Sequence, residues 1–202
     1  MGQPRPLARA AGTRGGTSGR DTGLYMQKQE QTYWCWAAVV EAVERLFKGG
    51  DARAQCRIVS ENLPAVPPTG CCGTRKGGPC DHSYRLDYAL SRAGLYGSSD
   101  GVLGFDRLQV EIDQRRPIGI QVEWRDGGGT HYVAATNWLV RTDGTEVVRI
   151  ADPIGPNYEE VPLAVLMNSY AAKHGRWIAS FLTNRDGAVP LHGLPRRIRK
   201  GD

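Results

Sequence analysis

The sequence predicts an α+β domain, a helical N-terminal part packed on a C-terminal antiparallel sheet. Three observations carry this. Apolar residues recur at helical spacing in the first half, the period changes to two after Pro117, and the later apolar runs are joined by short glycine-containing turns that suit antiparallel neighbours. With 202 residues the chain fits one domain, expected over 24–184, between a disordered basic arm at 1–23 and a basic tail at 185–202.

The elements follow in order. In WAAVVEAVERLFK, from Trp36 to Lys48, Val39, Val43, Leu46 and Phe47 fall on one helical face, and Gly49-Gly50 is a stop signal, so Cys35 stands at the N-terminal edge of an amphipathic helix. Residues 64–80, PAVPPTGCCGTRKGGPC, are too rich in Pro and Gly for regular structure and predict a loop. Asp81 is placed to cap a second helix through about Ala93, with Leu86 and Leu90 four apart. A third helix is expected from Phe105 to Arg115, ended by Pro117.

The strands come next. In PIGIQVEW, Ile118, Ile120, Val122 and Trp124 alternate as in a half-buried strand. HYVAATNWLV is the second strand after RDGGG, and TDG turns into the third, TEVVRIAD. A short helix near Leu163–Ala171 and a last strand near Trp177–Leu182 complete the domain.

Composition excludes several classes. No run approaches the roughly 18 apolar residues of a membrane-spanning helix. The net charge of +5 is concentrated in the arm and in LPRRIRKGD, while the middle mixes both signs, so no nucleic-acid partner is expected. The first 20 residues lack the apolar core of a secretory signal, and export would use another route.

Chemistry centres on Cys35, in QEQTYWCWAA. A cysteine attacks as thiolate, and its ordinary pKa of about 8.5 leaves little thiolate at neutral pH. Unpaired N–H groups at a helix N-terminus favour negative charge, and a nearby imidazolium favours it further. Of the four histidines, His131 begins an apolar strand one residue after Gly127-Gly128-Gly129, a turn expected to bring it close to another backbone; His82, His174 and His192 lie in loops or the tail. Asn137 is six residues along the same strand, about 20 Å away at about 3.3 Å per residue, and cannot orient the imidazole. Asp152 ends the next strand, which TDG returns antiparallel, so its carboxylate arrives near the level of His131. Gln29 and Gln31 precede Cys35 and offer neutral amide donors for an oxyanion; Gln29 has the reach of a loop doubling back to the helix start.

Taken in order, Gln29, WCWAA at a helix start, GGTHYVAATNW and ADP about 20 residues later resemble the papain-like cysteine peptidases over about residues 25–183. The compact bacterial branch looks most similar: leader-removing peptidases of bacteriocin exporters, staphopains and injected effector peptidases. The resemblance implies a papain-like fold, with Cys35 as nucleophile, His131 as general base and acid, Asp152 as orienting residue, and Gln29 as oxyanion donor beside the Cys35 backbone N–H. It implies no cofactor or metal. Papain has asparagine where this chain has Asp152, and this chain lacks papain's long second half.

Cys56, Cys71, Cys72 and Cys80 remain. Adjacent Cys71 and Cys72 pair only with strain, so two disulfides would join Cys56 and Cys80 to one of them each, in either pairing, and would place the protein in an oxidising compartment. The rivals are free thiols in a cytoplasmic enzyme and a zinc site using His82, whose spacing matches no regular zinc pattern.

The function expected is a thiol-dependent endopeptidase acting on a protein or peptide through an acyl-enzyme, as a monomeric bacterial secreted enzyme or toxin, with an immunity or inhibitor protein as partner in the toxin case. The same residues would serve a transpeptidase, transglutaminase or deamidase, and a catalytically silent partner-binding module is the further alternative. Tyr33, Trp124, Tyr132 and Trp138 are candidates either for a cleft wall or for core.

Overall fold

The computed structural model describes residues 16–67, 69–155 and 158–186. In chain order the elements are β1 (Thr17–Ser18), α1 (Cys35–Lys48), a 3-10 turn at Gly49–Asp51, α2 (Gln55–Asn62), α3 (Leu86–Ala93), β2 (Tyr96–Asp100), α4 (Phe105–Asp113), β3 (Ile118–Glu123), β4 (Thr130–Val140), β5 (Glu146–Ala151), β6 (Tyr158–Pro162), α5 (Leu163–Asn168) and β7 (Arg176–Thr183). The strands make one antiparallel sheet in the order β2-β7-β3-β4-β5-β6, and β1 adds to the far end of β4 with Thr17 opposite Val140. Helices α1 to α3 share a core with one sheet face and α4 and α5 with the other, so the α+β expectation is met.

α1 is buried more widely than an amphipathic stripe, since every residue from Cys35 to Glu44 is inside. That burial includes two carboxylates, which must be paired to be tolerated. Glu41 accepts from Arg45 and from the Gln55 amide, and Glu44 binds Lys48 and Arg53. Burial pushes the Glu44 carboxyl up, but the Arg53 and Lys48 bonds outweigh it and hold it below the usual range. Gly49, at φ 63°, ends the helix and donates its N–H to Arg45 O.

β3 departs from the expected half-buried strand, because Ile118 to Ile120 and Val122 are buried on both faces. Its period-two pattern arises because the face toward α3 carries Gly119: a Cβ there would lie 2.7 Å from Leu86 Cδ2, so glycine lets the helix approach.

Several expectations are corrected. α2, β2 and β6 have no counterpart in the sequence reading; α2 is two turns long with only Ile58 and Val59 as buried apolar residues, and β2, YGSSD, has almost no strand-forming side chains. Asp81 does not cap α3, which begins at Leu86; its carboxylate accepts from Tyr33 N and Gly77 N. The disordered arm expected at 1–23 is, from Gly16 onward, laid along β4: Gly19 N donates to Trp138 O and Thr22 N to Thr136 O, and Thr22 is buried. Gly19 permits this because a Cβ would lie 2.0 Å from Trp138 Nε1. The first 15 residues, and the tail from 187 on with His192, lie outside the described residues.

Candidate active site

The start of α1 is clamped from two sides by the loop that follows α2. Trp34, 1% exposed, donates its indole N–H to Cys80 O, and Trp36 donates to His82 O while its ring meets Tyr84 at 5.3 Å. The loop itself is fixed by the disulfides Cys56–Cys72 and Cys71–Cys80, one of the two pairings left open by the sequence. These bonds occupy the thiols a zinc site would need. The two tryptophans beside Cys35 therefore act as anchors, holding the helix end against a covalently braced loop.

No side chain caps α1, and its first helical bond runs from Ala38 N to Trp34 O. The Cys35 backbone N–H thus stands in the helix's first turn, where groups lack an intrahelical acceptor. Cys35, 7% exposed, is the free cysteine among the described residues.

β4 carries His131 opposite Val122 of β3, and the antiparallel return of β5 sets Ala151 opposite Ala134. Asp152 follows Ala151 directly, so its carboxylate reaches the imidazole: His131 Nε2 lies 2.8 Å from Asp152 Oδ1. The imidazole also bonds to Cys35, so the structure brings Cys35, His131 and Asp152 together. Asn137 sits away from them, its side-chain oxygen accepting from Trp138 N. Gly127 and Gly129, before His131, serve conformation rather than close approach, since they have φ of 76° and 83° and open space around them.

Asp152 holds three donors. Oδ1 also accepts from Ile154 N at 2.9 Å, and Oδ2 accepts from the Tyr170 hydroxyl at 2.9 Å. Trp124 lies between the rings, stacked on His131 at 5.7 Å and on Tyr170 at 6.4 Å. Sequence reasoning left Trp124 undecided and missed Tyr170; no periodicity marks a tyrosine just past a short helix.

Electrostatics follow from these contacts. Burial opposes charge on His131, but hydrogen bonds to Asp152 and Cys35 outweigh it and push the imidazole up to about 9. Burial works against ionisation of Asp152 as well, and is overcome by His131, Ile154 N and Tyr170, so the carboxyl lies below its usual range. Desolvation and the neighbouring carboxylate push the Tyr170 phenol far up, leaving it a neutral donor at all relevant pH.

Gln29 is close to the site but differently disposed from expectation. Its backbone N–H donates to Pro153 O at 2.8 Å, tying the segment to the turn after Asp152. Its side-chain N–H groups both go to its own loop, to Gln31 O at 2.8 Å and Thr32 O at 2.7 Å, and its buried oxygen has no partner among the described residues. In this arrangement the Gln29 amide is not a free donor; an oxyanion would have to displace one of those carbonyls. Gln31 is turned away, its amide donating to Thr74 O.

A cavity of about 390 Å³ opens beside Cys35, lined by Tyr33, Ser83, Tyr84, Arg85, Gln121, Thr130 and Tyr132. It shares Arg85, Gln121 and Tyr132 with a second cavity of about 480 Å³ that continues past Asp87, Ser99 and Asp100 to Phe181. Arg85 forks onto the Asp87 carboxylate in this groove. Tyr33 is therefore a cleft residue, Tyr132 is a core residue packed on Phe181 that also borders the cavities, and Trp138 packs edge-on against Phe105.

No protein-family model matches the chain, and no curated protein matches it in sequence. Solved structures of similar arrangement include a C39-like peptidase from Bacillus anthracis, at 11% identity and a TM-score of 0.49 over 81% of this chain and 96% of that one. The bromelain protease of Ananas comosus, solved with the E64 inhibitor, is similar at 12% identity and a TM-score of 0.47, over 82% of this chain and 98% of that one. The ragweed pollen cysteine protease Amb a 11, in its proform, gives 12% and 0.45, with 80% of this chain against 63% of that one. Roles for the residues rest on the site itself.

Proposed function

We propose that this chain is a papain-like cysteine peptidase that cleaves peptide bonds through an acyl-enzyme on Cys35. The observation that carries the reading is the connected series from Cys35 through His131 to Asp152, with an imidazole held charged to about pH 9 beside the one free cysteine among the described residues. Asp152 occupies Nε2, which leaves Nδ1 as the nitrogen that serves the sulfur.

In the first step the Cys35 sulfur bonds to the substrate carbonyl carbon, and the carbonyl electron pair moves to oxygen. The Cys35 backbone N–H is the donor for that oxyanion, with Gln29 joining when its amide exchanges a loop carbonyl for the new charge. The intermediate collapses, the carbon–nitrogen bond breaks, and the imidazolium gives its proton to the leaving amine. Neutral His131 then takes a proton from water, whose oxygen attacks the thioester; the carbon–sulfur bond breaks and the acid product leaves. Asp152 stays ionised throughout and fixes the ring.

The groove past Arg85 and Asp87 fits the acyl side of an extended peptide. Export into an oxidising compartment accounts for two disulfides in one loop. A bacterial secreted or effector enzyme, with an immunity or inhibitor protein as partner, would use the same site.

The test is digestion of a peptide library by wild type and Cys35→Ala, with product masses. Hydrolysis predicts new termini carrying one water, from wild type only. A gain of an amine at the acyl position would identify a transpeptidase or transglutaminase, a mass increase of about one on glutamine a deamidase, and equal behaviour of the two proteins a binding module.

A further inference from the structure

We propose that Tyr170 is a positioning residue of the catalytic unit, a fourth member that acts on Cys35 chemistry through Asp152. This rests on the peptidase reading above. The hydroxyl donates to Asp152 Oδ2, the oxygen that neither His131 nor Ile154 N occupies, so a carboxylate held at one oxygen by the imidazole is prevented from rotating by a bond at the other. The same phenol ring stacks on Trp124, and Trp124 stacks on His131. His131, Asp152, Tyr170 and Trp124 form a closed circuit in which moving any one disturbs the imidazole.

The backbone around Tyr170 is built to hold it there. Tyr170 and Gly175 exchange two backbone hydrogen bonds of 2.8 Å, closing a tight hairpin, and within it Ala171 and His174 take φ of 55° and 50°, a region non-glycine residues seldom adopt. Gly175 lies directly under Trp124: a Cβ there would be 2.7 Å from the indole and 2.3 Å from Val122 Cγ1. Strained backbone persists where surrounding contacts hold it, and it gathers at functional sites. Here the strain delivers one hydroxyl to one oxygen. The phenol is nearly fully buried, so no surface role competes for it.

The test is a double-mutant cycle between Tyr170→Phe and Asp152→Asn, with kcat expressed per Cys35 titrated by a stoichiometric thiol reagent. In the wild-type background, loss of one bond to a charged group is expected to lower kcat by about tenfold or more, with KM within about twofold. In the Asp152→Asn background the same substitution is expected to change kcat by less than about twofold. An equal loss in both backgrounds assigns Tyr170 a purely structural role, and no loss in either removes it from the unit; both overturn the proposal. If Tyr170→Phe gives no folded protein, 4-fluorophenylalanine at position 170, which fills the phenol's space and lacks only the donor, replaces it: a loss of about tenfold or more in the wild-type background that shrinks below about twofold with Asp152→Asn supports the proposal, and an equal loss in both backgrounds, or none, overturns it. Absence of Cys35-dependent cleavage in wild type would instead refute the peptidase reading, a distinct outcome.

Discussion

His131 Nε2 lies 2.8 Å from Asp152 Oδ1, and this single contact decides which ring nitrogen is left for the proposed chemistry. An ionised carboxylate accepts only, so Nε2 carries a proton and Nδ1 is the nitrogen left for Cys35. Because Asp152 sits one residue beyond β5 and His131 one residue into β4, the pairing of two adjacent strands sets the distance. The chemistry inherits the rigidity of the sheet.

The imidazole pKa of about 9 gives a direction to the pH dependence. The ion pair's contribution to stability is fully present below the ordinary histidine value of about 6.5 and is lost as pH rises through about 9. Asp152 adds stability above its unfolded pKa, lost as pH falls through its lowered folded value. The kcat/KM profile should therefore decline on the alkaline side near pH 9. In Asp152→Asn the charge is gone while an oxygen acceptor remains, so that limb should move toward lower pH and kcat/KM should fall by about 100-fold or more. A pH series with an amide substrate checks both.

Gly175→Ala should disturb the site without touching a reacting group. Its Cβ would meet Val122 and Trp124, and overpacking of this kind costs about 1 to 3 kcal/mol. Thermal or urea unfolding reads the loss, and kcat is expected to fall with it as the indole shifts against His131.

The Cys71–Cys80 bridge braces the segment that Trp34 binds through Cys80 O. Replacing the pair with Ser is expected to reduce unfolding free energy by about 2 to 4 kcal/mol, measured by denaturant titration. Activity should drop at temperatures where the loop loosens, because the N-terminus of α1 loses an anchor.

Arg85 lies in the groove with its side chain 65% exposed and paired to Asp87. Arg85→Ala should alter which side chains are accepted on the acyl side while leaving the alkaline limb near pH 9. Profiling the cleavage products of a peptide mixture distinguishes this from a general loss.

The residues of the proposed reaction were legible as a cluster because their signals are local: a cysteine at the first residue of an apolar helix, a histidine at a strand start, and an aspartate where an antiparallel return must end. The Tyr170–Asp152 contact was not legible, since it depends on a hairpin that brings residue 170 to the end of β5, and nothing in SYAAKHG announces it. The Gln29 amide shows a different gap. Sequence spacing placed it beside the site, but the orientation of a side-chain amide follows from which carbonyls its loop presents, here those of Gln31 and Thr32. Residues 16–23 read as disordered because glycine and serine are sparse in apolar surface, yet Gly19 is small in order to pass Trp138.

In the proposed reaction acyl transfer passes through Cys35 under the control of His131. Acid quenching during turnover of an activated ester, followed by intact mass and peptide mapping, tests it most directly. One acyl group is expected on the peptide containing Cys35, none in Cys35→Ala, and slowed loss of the adduct in His131→Ala. Turnover retained in Cys35→Ala, or an acyl group mapped to any other residue, would contradict it.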